Sequence, residues 1–176
     1  MSTEVALTFD DGPGEVTGAL LDVLGRHGAR ATFFCVGELI AGREGELARA
    51  AREGHEIAVH GWTHEDHRDD PEARAGAAAR TADLLEAACG ARPRLFRPPY
   101  GYTSPQLEAA MARRGLRTVL WDVDPRDWED PGVHAVHERT VAELAPGAIV
   151  LLHERPATVA AVDLILGAGW RSVTVR

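Results

Sequence analysis

Two carboxylates stand side by side in "TFDDGP", Asp10 and Asp11, at the end of a short apolar run. Like charges repel. The pair therefore belongs either to a turn, since Asp, Gly and Pro are turn formers, or to a place where a cation neutralises one carboxylate and leaves the other to move protons. Further along, "HGWTH" sets His60 and His64 four residues apart, a spacing that puts two imidazoles on one face of a helical turn. Two imidazoles and one carboxylate make a divalent-metal site with open positions for water. Each feature alone has an ordinary reading. The aspartates can be a solvated edge, and the histidines can be one buried polar group and one surface residue. Together they fit a metal, which lets both carboxylates ionise: one as a ligand, the other as a base.

Three more polar clusters follow apolar runs. In "RPPYG", Arg97 to Gly101, two prolines fix the backbone. The segment is either a structural turn or a platform that aims the Arg97 guanidinium at a carboxylate and offers the Tyr100 N–H to an oxyanion. "DVDPRDW", Asp122 to Trp128, is the next cluster, and "LLH" ends at His153. A histidine at that place suits a catalytic acid, because it titrates near neutral pH; a hydrogen-bonded core histidine is the plain alternative. His27, His55, His134 and His137 lie in or beside helical stretches and read as surface or capping residues. His67, within the polar "EDHRDD", reads as exposed.

The elements that must position these groups alternate. Short apolar runs occupy 5–9, 31–36, 56–60, 94–96, 117–121, 148–152 and 171–175. Helical patterns occupy 16–27, about 44–53, 70–89, 104–115, 133–145 and 157–166. Asp70-Pro71 and Ser104-Pro105 open two of the helices in the manner of caps. Near-continuously apolar strands between helices mean an α/β fold with a parallel sheet. Either a (β/α)7 barrel or an open doubly wound sheet fits, and both gather functional residues at the C-terminal ends of the strands. At 176 residues the chain is expected to form one domain, 1–176. A net charge of −8 argues against nucleic acid as a partner. No apolar stretch approaches the roughly 18–20 residues that span a bilayer. Cys35 and Cys89 read as small buried residues rather than a disulfide framework.

Five motifs in order give the chain a resemblance to the polysaccharide deacetylases with a NodB homology domain, carbohydrate esterase family 4. "TFDDGP", "HGWTH", "RPPYG", "DPRDW" and "LLH" match the family's first to fifth motifs, and the likeness runs over essentially the whole chain. The resemblance implies a distorted (β/α)7 barrel and metal-dependent N-deacetylation of a sugar. Asp11, His60 and His64 would hold one divalent ion, Zn2+ first and Co2+ or Ni2+ as alternatives. Asp10 would be the base that activates water, and Arg97 would orient it. Tyr100 would offer its N–H to the oxyanion, and His153 would protonate the leaving amine. Asp127 would support the ensemble through His153 or Arg97, and Trp128 would line the apolar wall. Gly61 departs from the pattern: the family has Ser or Thr there, a hydroxyl that usually steadies the loop carrying the histidines. Its absence leaves open what holds that loop rigid.

The expected substrate is a glycan or oligosaccharide containing N-acetylglucosamine, with no nucleic-acid or membrane partner and a monomeric enzyme. The competing readings are an amidohydrolase acting on an intracellular N-acylated small molecule or cyclic amide, and a non-catalytic glycan-binding domain. No signal peptide is visible, so the expectation is a cytoplasmic protein, or a secreted one if a leader has been trimmed away. The cleft is expected to be shallow and open.

Overall fold

The computed structural model describes residues 3–64 and 70–175; His67 lies outside them. Strands and helices alternate as β1 (Glu4–Gly12), α1 (Thr17–Arg26), β2 (Thr32–Cys35), α2 (Glu44–Arg52), β3 (Glu56–Val59), α3 (Pro71–Cys89) and β4 (Leu95–Phe96). They continue as α4 (Pro105–Ala112), β5 (Arg117–Thr118), α5 (Val133–Glu143), β6 (Ile149–His153), α6 (Pro156–Gly167) and β7 (Arg171–Ser172). The strands pair in parallel in the order β5-β4-β3-β2-β1-β6, and β7 pairs with the start of β1. Past β5, Val123 bridges to Val150 of β6. The sheet therefore curls into the distorted barrel and is not an open doubly wound one.

The apolar runs explain this arrangement. Alternate residues of a strand face opposite sides. On β1, Val5, Leu7 and Phe9 face outward into the main core with Leu20, Leu21 and Leu24 of α1, all fully buried. Each such side chain contributes roughly 1.5–3 kcal/mol by leaving water. A smaller cluster of Phe34, Ala58, Leu95 and Val119 fills the inside of the curl. Helix ends follow the cap signals: Asp70 accepts the Ala73 N–H at 2.9 Å, and Ser104 accepts that of Leu107 at 3.1 Å.

Several local expectations are corrected. The apolar run at 117–121 yields a strand of only two residues, Arg117–Thr118. Beyond it the carbonyls of Val119 and Leu120 accept from Arg97 instead of continuing a ladder. Strand β1 extends through the aspartates to Gly12, with a register irregularity against β2 between Phe9 and Gly12. His60 to His64 form no helical turn: the chain bends there, with Gly61 at φ +87°. His55 is buried and accepts the Ala31 N–H at 3.1 Å, ahead of β2, so it is not a surface residue. Cys35 is buried, Cys89 is only half-buried, and both are free thiols.

Candidate active site

The strand ends converge on one rim. Consecutive residues of a regular strand point to opposite faces, yet Asp10 and Asp11 reach the same site. The irregularity in β1 makes this happen, because Asp11 takes a left-handed φ of +67° that swings its side chain back. His60 Nε2 then lies 3.7 Å from Asp10 Oδ2 and 3.4 Å from Asp11 Oδ1. His64 Nε2 lies 3.2 Å from the same Asp11 oxygen.

These contacts have the donor set of a metal site. Asp11 Oδ1 is buried and has no hydrogen-bond partner among the described residues. One ligand atom from each of Asp11, His60 and His64 lies within 4.8 Å of the others. His60 Nδ1 donates to the Arg97 carbonyl at 2.8 Å, which leaves the Nε2 lone pair directed at Asp11. Burial opposes ionisation of Asp11, but His60, His64 and His153 outweigh it and hold the carboxyl below its usual range. Burial also pulls His64 below the usual imidazole range, against the attraction of Asp11. A carboxylate oxygen without a hydrogen-bond partner among the described residues, faced by two imidazole nitrogens, suits a divalent cation.

Asp10 is held differently. Its Oδ1 accepts from Arg97 Nη1 at 2.8 Å, and both residues are essentially buried. Every other nitrogen of the guanidinium is occupied too: Nε donates to the Val119 carbonyl and Nη2 to that of Leu120, while Nη1 also reaches Thr8 Oγ1 at 2.7 Å. The guanidinium stacks 4.1 Å above the Phe34 ring, on the apolar plug of the barrel. Arg97 therefore has one available orientation, and Asp10 Oδ2 is left facing the histidines.

Of the two partners open to Asp127, the structure puts it against His153. Asp127 Oδ1 accepts from His153 Nδ1 at 2.7 Å, and Oδ2 accepts the His153 backbone N–H at 2.8 Å and the Thr158 hydroxyl at 2.6 Å. This leaves Nε2 as the free nitrogen of His153. Burial works against the charged imidazole, but Asp127, joined by Asp10 and Asp11, raises its pKa above the usual value.

A cleft of about 480 Å³ opens over these groups, with Tyr100, Tyr102, Trp121 and Trp128 along its walls. Tyr100 sits at φ +60°, and its ring packs edge-on against His64 at 4.6 Å. Its backbone N–H has no acceptor among the described residues. Gly101 is required beneath it, since a Cβ there would lie 2.7 Å from the Trp121 ring. Trp128 is 44% exposed and carries Arg126 over its face at 5.0 Å.

The loop lacking the family's hydroxyl is held from outside. Thr81 on α3 donates to the Gly61 carbonyl at 2.9 Å, and the Gly37 N–H reaches the same oxygen at 3.1 Å. Arg80 stacks on Trp62 at 3.8 Å. Thr8, Thr81 and Thr158 support the site as well, although they are not among the residues named from the sequence. Thr8 lies inside the "TFDDGP" motif, whereas no motif or spacing marks the other two.

The chain is also similar to known proteins. The family model described as polysaccharide deacetylase matches residues 2–119. The chitooligosaccharide deacetylase of Bradyrhizobium sp. (strain ANU 289) is 42% identical over 153 residues, 85% of this chain and 70% of that one. The solved structure of peptidoglycan deacetylase PdaC from Bacillus subtilis superposes with a TM-score of 0.90 at 34% identity, over 97% of this chain and 87% of the solved one; the chain spans 38% of the full-length PdaC sequence. BA3943 from Bacillus anthracis, a pseudoenzyme of the same family, superposes with a TM-score of 0.90 at 25% identity, over 99% of this chain and 64% of that one. The fold thus houses active and inactive members, and activity has to be argued from the side chains. Motif order, family match and barrel agree, and the chain belongs to the polysaccharide deacetylases of carbohydrate esterase family 4.

Proposed function

We propose that this chain is a single catalytic domain, 1–176, that hydrolyses the acetamido group of an N-acetylated glycan to acetate and a free amine. The observation that carries the reading is the side-by-side arrangement of three convergent ligand atoms and two separately anchored proton carriers, Asp10 on Arg97 and His153 on Asp127. A non-catalytic domain would have no need of both carriers.

Asp11, His60 and His64 would hold one divalent ion, Zn2+ by preference for a set of two imidazoles and one carboxylate. When bound, that ion supplies Lewis-acid chemistry, bringing the pKa of water down toward about 7 and polarising an acyl carbonyl. Asp10 takes the proton of the attacking water on Oδ2, because Oδ1 is committed to Arg97. The Tyr100 N–H, which has no internal acceptor among the described residues, is offered to the developing oxyanion. His153 delivers its Nε2 proton to the leaving nitrogen, and Asp127 fixes the tautomer and stabilises the charged ring. Trp128 and the tyrosines present flat apolar faces to a sugar ring. We read the enzyme as a monomer, since one chain supplies every group named.

The relatives named above act on chitooligosaccharides and peptidoglycan, and a glycan containing N-acetylglucosamine is our preferred substrate. Acetate release measured on N-acetylglucosamine oligomers from monomer to hexamer, before and after chelation, tests the reading. We expect longer oligomers to react faster and chelation to stop the reaction. Equal turnover of the monosaccharide would remove the polymer, and no turnover of any acetamido sugar would remove the function.

A further inference from the structure

Glu154 follows His153 and has no part in the chemistry above. Its carboxyl is tucked under the turn that leaves Asp11. Gly12 lies so close that a Cβ on it would sit 1.8 Å from Glu154 Oε1. Oε2 meets the Gly14 N–H at 3.1 Å and the Thr17 hydroxyl at shorter range, while Oε1 is buried with no partner among the described residues.

Counting protons decides the form of this group. The Thr17 hydroxyl has one proton and lies 3.0 Å from the Gly14 carbonyl; it also accepts the Gly14 N–H at 2.8 Å. A carboxylate would leave a charged, buried Oε1 with no donor. A carboxylic acid donates from Oε2 to Thr17, frees the Thr17 proton for Gly14 and leaves only a neutral carbonyl unpaired, a smaller cost. The Glu154 N–H also reaches the Asp10 carbonyl at 3.3 Å, so the residue joins β6 to the motif turn through backbone and side chain.

We propose that Glu154 is a positioning residue that, as a neutral acid, ties the end of β6 carrying His153 to the Gly12–Thr17 turn that sets Asp11. The activity part of this proposal rests on the deacetylase reading. Burial pushes the Glu154 carboxyl up to about 7 against the pull of the Thr17 hydroxyl and the Gly14 N–H, with Glu46 adding to the rise and Arg43 opposing it. Those two and the buried Cys35 thiol face it from neighbouring elements. Arg43 does not pair with it: its Nη1 is placed on the Gly14 carbonyl and Glu46.

Two measurements test this without substrate. Thermal unfolding of the parent and Glu154→Gln is followed from pH 5 to 8. An unfolded glutamate ionises near pH 4.3, so the folded acid costs the parent stability as pH rises from there to about 7. The variant should therefore gain on the parent over that range and hold its lead above it. Co2+ is then titrated into both and into Glu154→Ala. Removing the tie should weaken Co2+ binding by about tenfold or more, and the glutamine, which can donate to Thr17, should restore it. Parallel unfolding curves, unchanged Co2+ affinity in Glu154→Ala, or a glutamine variant as weak as the alanine one would each overturn the proposal. Gly12→Ala, whose Cβ displaces the carboxyl, should bind Co2+ as weakly as Glu154→Ala, and adding it to that variant should cost nothing more. Absence of turnover on acetamido sugars with both results intact would count against the deacetylase reading alone.

Discussion

The two ends of the barrel both carry cavities and charge, and the larger cavity is at the end away from the proposed catalytic groups. At the N-terminal ends of β3, β4 and β5 a groove of about 780 Å³ is lined by Arg52, Arg92, Arg94 and Arg114. The cleft on the opposite rim has about 480 Å³. In the groove, Arg92 pairs with Asp83 and Glu86 and Arg114 with Glu72, all through water-exposed side chains or nearly so. Such pairs are worth about 0–1 kcal/mol each. On the rim, Arg97, Asp10 and Asp127 are buried charged residues with committed partners, and Asp11 presents a buried oxygen with none among the described residues. Cavity volume is therefore not what marks the proposed site. What marks it is charge that the fold keeps out of water, at a desolvation cost.

The comparison breaks first at the ligand set. Asp11→Asn should lose the bound ion and with it all measurable acetate release, read by metal analysis of the purified variant; a fully active, metal-replete variant would undo the distinction between the two aspartates. Asp10→Asn should keep the ion and lose about 10³-fold in kcat, within the range for a general base. Arg97→Ala strands Asp10 as an unpaired buried charge, and denaturant unfolding should show about 3–5 kcal/mol of lost stability.

His153→Ala should cost about 10²-fold in kcat with metal content unchanged. Asp127→Asn sharpens this into a pH test. Asp127 raises the pKa of His153, and in the mechanism proposed above the charged ring is the acid, so the activity lost as pH rises should be lost at lower pH in the variant. An alkaline limb that stays in place would mean that His153 is not the acid. The smallest effect belongs to the other end: Arg92→Ala should leave kcat unchanged and shift stability by no more than about 0.5 kcal/mol.

Much of the architecture is legible locally. Apolar runs covered on both faces, capped helices and polar clusters after the strands place the motifs on one rim of a parallel α/β sheet before any coordinate is known. The errors are local too, and each has a tertiary cause. The run at 117–121 shrinks because Arg97, about twenty residues upstream, takes the carbonyls of Val119 and Leu120. The two histidines meet through a bend at Gly61 rather than a helical turn, and the hydroxyl missing from that loop is answered by Thr81 on a helix that nothing in the loop predicts.

By itself, the sequence determined which residue types could do chemistry, their order, and the strand ends that carry them, because backbone preference and hydrophobic period act over a few neighbouring residues. Tertiary structure alone decided who holds whom. Asp10 meets Arg97 across 87 positions of chain and Asp127 meets His153 across 26. Whether Asp10 and Asp11 face one site or two depends on a single left-handed residue at the end of β1. Such partnerships follow from strand register, and register is set by how the whole buried sheet packs, since a slip of one residue would turn every inward side chain outward.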